Sequence, residues 1–398
     1  MSTQIQGIRL VHVTTVPQTL ELFRGLSDYL MNRGFLIYFV SSPEKKDTGR
    51  FFKSVVKTYP VLMTRTINPW KDLRALLSLW SKFLEIRPEI VHAHTPKAGL
   101  LGVLAARFAG VPIVFFSIFG LPQMTMKGLK RSLINCLTRI ACLAADRVWC
   151  DSFSMRDYVV RNRLCASKKV VVIAKGSAQG VDAERLFSPS RYEISVRDKV
   201  RHNLNIPLES IVLGFVGRIV KDKGLHELAE AWRFLSKERA SLHLILIGPQ
   251  ENKDPLHPLD IELFKSDPRI HLVGLCHEVP SYLAAMDIFV MPSYREGFGL
   301  SNIEASAMEL PIVSTRIPGC IDSVIEGTTG LLVPPRDINS LISAIKAYLD
   351  DADLRKRHGR AGRERVLREF RPETIWEDLC AIYIQLLKDK KILKPFSS

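Results

Sequence analysis

The chain has 398 residues, 46% hydrophobic and 24% charged, enough to bury a sizeable core and unlike a disordered tail or a short disulfide scaffold. Fifty-six lysines and arginines against 41 acids give a net charge of +15, which favours phosphate-bearing partners such as nucleic acid, anionic lipid or phosphorylated small molecules. Seven scattered cysteines without a C-x-x-C pair read as thiols of a reducing cytoplasm and exclude a cysteine-built zinc site.

The chain opens MSTQIQGIRLVHV, where a strand begins almost at once without the basic and apolar regions of a signal peptide. Strands are expected at 8–14, 35–42, 89–95, 112–118, 147–152 and 168–174, with helical stretches between most of them. The run 99–121 is apolar enough to pose as a membrane span. Arg107 lies inside it and Gly110-Val-Pro112 would break a helix, so it reads as a buried helix, a turn and a buried strand. The pattern lapses over 181–209, a polar stretch holding Pro189 and Pro207. A second series of strands follows at 211–217, 242–248, 270–275, 287–292, 311–316 and 329–334, again separated by helices. After Pro372 a last helix places Trp376, Leu379, Ile382, Leu386 and Leu387 on one side, an apolar stripe that must dock. The expected fold is α/β: two doubly wound, Rossmann-like parallel-sheet domains facing across a cleft. Their expected bounds are 1–185 and 209–372, joined by a hinge at 186–208, with 373–398 crossing back to the first domain.

Ligands of such sheets bind beyond the carboxyl ends of the strands, so the loops there carry the chemistry. Gly217-Arg218-Ile-Val-Lys221-Asp-Lys223-Gly224 lies between a strand and a helix, and its glycines, amides and cations suit a diphosphate. The alternative is that Arg218 and Lys223 are solvated loop cations. Tyr294-Arg-Glu296-Gly297-Phe298-Gly299-Leu300-Ser-Asn-Ile-Glu304 sets two carboxylates eight residues apart around a glycine-rich turn. Ser301-x-x-Glu304 also spells a capping box, in which Glu304 would serve only its own helix.

Glu296-x7-Glu304, followed by Ala305-Ser-Ala-Met308 and Pro311-Ile-Val-Ser-Thr-Arg-Ile-Pro-Gly319, resembles glycosyltransferase family 4, the retaining sugar-nucleotide transferases of GT-B fold. GRIVKDKG and Gly327-Thr-Thr-Gly330 stand in the expected order, so the resemblance covers nearly the whole chain. It implies a donor-binding set of Gly217, Arg218, Lys223, Glu296, Gly297, Phe298, Gly299, Leu300 and Glu304. In that set Glu296 contacts sugar hydroxyls, Glu304 the ribose hydroxyls, and Arg218 with Lys223 the diphosphate. The first half, with VHAHTPKAGLLG at 91–102, resembles bacterial enzymes that build capsule, O-antigen or glycoprotein glycans on polyprenyl diphosphate. This implies an acceptor-side first domain, with Thr15, His94, Lys97, Phe119 and Lys175 as its candidates. His94 joins Arg218, Lys223 and Glu296 as a candidate catalytic residue, orienting donor or acceptor, or else it only bonds a neighbouring loop. Two departures stand out: Phe119 replaces a histidine that reaches the donor sugar in many relatives, and Lys175 interrupts the more usual Gly-Asn-Gly.

The resemblance therefore implies a hexosyl- or N-acetylhexosaminyltransferase using a nucleoside-diphosphate donor, UDP by preference, with a lipid-linked saccharide as acceptor. No metal and no cofactor are expected: Asp351-x-Asp353 imitates a metal motif but falls between two helices, where Asp353 reads as an N-cap. A sugar-nucleotide 2-epimerase of the same fold is one alternative, and a basic nucleic-acid-binding protein, suggested by the run 355–363, is another. Nucleic acid is not the expected partner. Residues 121–175 hold eleven cations against three acids, and Leu129, Leu133, Cys136, Ile140 and Leu143 recur at helical spacing among them. This suits an interfacial helix on an anionic membrane at the cytoplasmic face, the alternative being a core-facing stripe with a solvated basic back.

Overall fold

The computed structural model describes residues 7–43, 56–64, 66–192, 194–251 and 254–393. The first six residues, on which the expected lack of a leader partly rests, and the last five of the expected crossing helix lie outside them. The chain divides into two compact units, Met1–Gln179 with Pro372–Ser398, and Gly180–Arg371.

The first unit runs β1 (Ile8–Val13), α1 (Arg24–Met31), β2 (Phe35–Ser41), β3 (Lys57–Pro60), α2 (Pro69–Ile86) and β4 (Ile90–Ala93). It continues through α3 (Pro96–Phe108), β5 (Ile113–Ile118), α4 (Gly128–Ala144), β6 (Arg147–Cys150), α5 (Phe153–Arg161) and β7 (Val170–Val171). The sheet order is β3-β2-β1-β4-β5-β6-β7, all pairs parallel, with Leu10 facing Ile37 on one side and Ile90 on the other. Every residue of β4 and β5 is buried, as befits strands covered on both faces. Helix starts follow local chemistry: Asn68 accepts from Lys71 N at α2, and Ser152 accepts from Met155 N at α5.

The second unit runs α6 (Ile194–Asn203), β8 (Ile211–Val216), α7 (Leu225–Glu238), β9 (Leu242–Ile247), α8 (Pro258–Ser266), β10 (Ile270–Gly274) and α9 (Val279–Leu283). It closes with β11 (Ile288–Met291), α10 (Leu300–Ala307), β12 (Ile312–Thr315), α11 (Cys320–Ser323), β13 (Gly330–Val333), α12 (Ile338–Asp350) and α13 (Ala352–Glu369). Its parallel sheet is ordered β10-β9-β8-β11-β12-β13. Asp351, not Asp353, caps α13 by accepting from Leu354 N, which gives the metal-like spelling a structural role.

Two stretches differ from expectation. The segment 186–208, expected as a hinge, carries α6 and lies within the second unit. Its anchor is Arg201, fully buried, which donates to the carbonyls of Ala285, Leu208 and Ser210 and to Asp287 Oδ2 at 2.8 Å. Within α4, Thr138, Ala141 and Cys142 face inward while Leu129, Leu133, Cys136, Ile140 and Leu143 are exposed, so the apolar stripe is not the core-facing one. The final helix, α14 (Pro372–Asp389), packs in the first unit, burying Ile375, Leu379, Cys380, Tyr383, Leu386 and Leu387. No helix among the described residues is long and apolar enough to cross a membrane.

Candidate active site

In the second unit β8 and β11 are neighbours, and the sheet winds outward from them in both directions, so the loops after these two strands open at the topological switch point. After β8 the chain makes one tight turn at 221–223 and enters α7 at Gly224, where φ is +67°. A Cβ there would lie 1.9 Å from the Pro292 carbonyl oxygen. Only glycine lets the two loops approach this closely.

Asp222 laces them together. Its carbonyl accepts from Tyr294 N at 2.9 Å, its carboxylate accepts from Arg295 Nε at 2.7 Å, and its amide donates to Asp254 Oδ2 at 2.8 Å. The Tyr294 hydroxyl donates to buried Glu227 of α7 at 2.6 Å, and Arg336 stacks over the tyrosine ring at 4.1 Å. This frame sets Lys223 Nζ 2.5 Å from Glu296 Oε1, with both side chains largely buried. Arg218, half-exposed, holds Glu251 at 3.0 Å. The two predicted cations are thus each paired with a carboxylate.

Helix α10 begins at Gly299, φ +81°, without a side-chain cap. The capping-box reading of Ser301-x-x-Glu304 therefore fails: an αL glycine starts this helix, and the Glu304 carboxylate has no hydrogen-bond or ion-pair partner among the described residues. Burial pushes its carboxyl up to about 7. Phe298 turns its ring into the core against Phe370, which leaves only its backbone for a ligand. A Cβ on Gly319 would lie 2.5 Å from the Gly297 carbonyl oxygen. Beneath the loop, Asn302 donates to Ser314 and Ser323 Oγ, and Thr315 donates to the Ser293 carbonyl. The Cys320 thiol, pushed up to about 12 by burial and the nearby Glu296, stays protonated.

The first-unit candidates fare differently. His94 is fully buried, not open at a strand end. Its Nε2 is hydrogen-bonded to His12 Nδ1 at 2.9 Å and its Nδ1 to Ser117 Oγ at 3.1 Å. The chain continues from Ser117 to His92 at 2.6 Å and from His92 to the Tyr383 hydroxyl at 2.5 Å. Burial holds all three imidazoles neutral, His12 down to about 3. His94 is thus a core residue bonded to neighbouring side chains rather than to a loop backbone: period-2 spacing put His92 and His94 on one strand face, with His12 opposite His92 on β1. That register was the available signal. Thr15 Oγ1 accepts from Ala98 N at 3.3 Å and bonds Thr95 Oγ1 at 2.8 Å, serving the start of α3. Lys97 is ion-paired with Asp72 at 2.6 Å and also donates to the Thr66 carbonyl, so it is not a free cation for an acceptor. Phe119 packs at 5.0 Å, edge to face, on Trp149 and stacks at 5.9 Å on His94. Lys175 alone of this group is exposed. The residues that sequence reasoning overlooked, Asp222, Glu227 and Tyr294, are polar groups whose partners lie far away in sequence.

A solved neighbour, an Anabaena HepE crystal structure in complex with UDP-glucose, superposes with a TM-score of 0.78 at 17% identity, covering 95% of this chain and all of that one. Two doubly wound parallel units of this kind make up the GT-B fold. Residues 16–176 match the family described as glycosyl transferase 4-like domain, and residues 196–365 the family described as glycosyl transferases group 1. The capsular polysaccharide biosynthesis glycosyltransferase CapM of Staphylococcus aureus is 31% identical over 96% of this chain and 98% of its own length. The Escherichia coli UDP-Gal:alpha-D-GlcNAc-diphosphoundecaprenol alpha-1,3-galactosyltransferase is 28% identical over 89% of this chain and 91% of its own. The chain belongs to glycosyltransferase family 4.

Proposed function

We propose that the protein moves a hexose or N-acetylhexosamine from UDP to a polyprenyl-diphosphate-linked saccharide, with retention at the anomeric carbon and without metal, in the synthesis of a bacterial surface glycan. The observation that carries this reading is the pairing of Lys223 with Glu296, with an unpartnered, half-buried Glu304 in the helix that follows the same loop. Glu304 has the lone pairs to accept from vicinal ribose hydroxyls, and Glu296 to accept from the sugar. Lys223 and Arg218 supply positive charge where the nucleoside diphosphate gains negative charge as it leaves. These cations stand in for a metal. With Glu296 held by Lys223, attack on the same face assisted by the leaving phosphate is the retaining route. The first unit takes the acceptor, and a lipid-linked acceptor places the enzyme at the cytoplasmic face of the membrane. The relative acting on a diphosphoundecaprenol-linked sugar supports the acceptor class. The test is a panel of UDP- and GDP-sugars with lipid diphosphate acceptors and product linkage determined. Transfer with retained anomeric configuration in EDTA is expected. An inverted product, loss of activity in EDTA, or conversion of the donor alone, as an epimerase would give, overturns the reading.

A further inference from the structure

The first unit presents an apolar face that no described element covers. On α2, Trp70, Leu73, Leu77, Trp80 and Leu84 are all exposed, Trp70 at 78%. Their spacing of three and four puts them on one stripe, while Ala75, Leu79, Phe83 and Ile86 of the same helix fill the core. On α4, Leu129 at 91% and Leu143 at 75% mark the ends of a second stripe of the same period. Helix α3 packs between these two helices, so both stripes lie on one side of one sheet. Isolated exposed apolar residues are ordinary; two parallel stripes with two tryptophans are a surface built to be covered.

Charge selects what covers it. Helix α4 contains no acid, while Lys127, Lys130, Arg131 and Arg139 accompany its stripe. On α2, Lys71 and Arg74 flank the tryptophans, and the two acids, Asp72 and Glu85, are each already ion-paired, with Lys97 and Lys82. A second copy would bring cations against cations. A bilayer bearing anionic headgroups answers both the charge and the apolar stripes, and tryptophan suits the headgroup level.

We propose that the outer faces of α2 and α4 together form the surface on which the protein docks to an anionic bilayer. The proposal rests on the lipid-linked acceptor reading for its purpose but not for its test.

That test is flotation of the full chain with phosphatidylcholine vesicles and with vesicles containing one-third phosphatidylglycerol, alongside tryptophan emission. Trp149 and Trp232 are buried and Trp376 is half-buried against Tyr29 within the first unit, so a blue shift on adding vesicles reports chiefly on Trp70 and Trp80, exposed at 78% and 39%. Flotation with anionic vesicles only, weakened by salt, is expected. The triple variant Lys127→Gln, Lys130→Gln, Arg131→Gln should partition about a hundredfold less, since each cation near such a surface is worth roughly fivefold. Trp70→Ser with Leu129→Ser should abolish the blue shift, and unchanged UDP binding would show that the variant is folded. Indifference to both vesicle types, or a stable dimer that these substitutions dissociate, overturns the proposal. Absence of UDP binding in the parent protein, with flotation intact, would instead count against the transferase reading alone.

Discussion

Lys223 and Glu296 neutralise each other in a largely buried setting, so the proposed diphosphate would share the lysine with a carboxylate already in place. Removing Lys223 deletes a preorganised positive charge and leaves Glu296 uncompensated. Lys223→Ala is expected to lower kcat/KM by roughly 10²–10³ while the folded protein persists by circular dichroism. Near-normal turnover would remove Lys223 from the reaction. Glu304 makes a separate prediction. With its carboxyl near 7 and no partner, protons compete with ribose hydroxyls for the same lone pairs, and affinity should fall as pH drops below 7. Calorimetric titration with uridine, which carries no phosphate to titrate, should show up to tenfold weaker binding per pH unit below 7. Glu304→Gln should bind more weakly and without that dependence. A flat profile in the parent protein would separate Glu304 from the ribose.

At the scale of elements, β1, β4 and β5 converge their polar side chains on one buried chain from His12 to Tyr383. Each histidine is held neutral in the fold but takes a proton near pH 6.5 once unfolded, so the unfolded state gains protons, and stability is lost, as pH falls below 6.5. Glu304, with its raised value, works in the opposite direction as one group against these three, while His243, His271 and His358, also lowered by burial, add to the loss. The net loss should therefore be at least about 3 kcal/mol per pH unit below pH 6, read by urea unfolding at pH 7, 6 and 5. Equal midpoints would show that the imidazoles are not held neutral. These elements also show what the sequence could reveal. Parallel strands covered by helices write themselves as apolar runs, which is why twelve of the thirteen strands among the described residues were legible. The exception, β3, is an edge strand of four residues, Lys57-Thr-Tyr-Pro60, with little apolar content and a proline. Helix α6 escaped because one arginine, with no apolar stripe, ties it down. The site loops were legible through glycine, whose positions mark close approach. The burial of His94 was not, because period 2 gives the face of a strand and not what covers it.

For the whole molecule, the chain passes between its units twice, at Gln179–Gly180 and Arg371–Pro372. Helix α14 completes the first unit's core, and burial of Ile375, Leu379, Tyr383, Leu386 and Leu387 contributes on the order of 10 kcal/mol as an upper bound. A chain ending at Arg371 should lose the first unit's cooperative melting transition while the second unit still melts cooperatively in a calorimetric scan. Retention of both transitions would show that the helix is dispensable. The same arrangement bears on synthesis. On the ribosome, residues 180–371 are available to fold as soon as they emerge, whereas the unit begun first must wait, with Phe35, Phe115 and its buried histidines short of their last neighbour, until the segment after Pro372 is made. The half translated first is finished last, and during that interval it is the natural client for a chaperone.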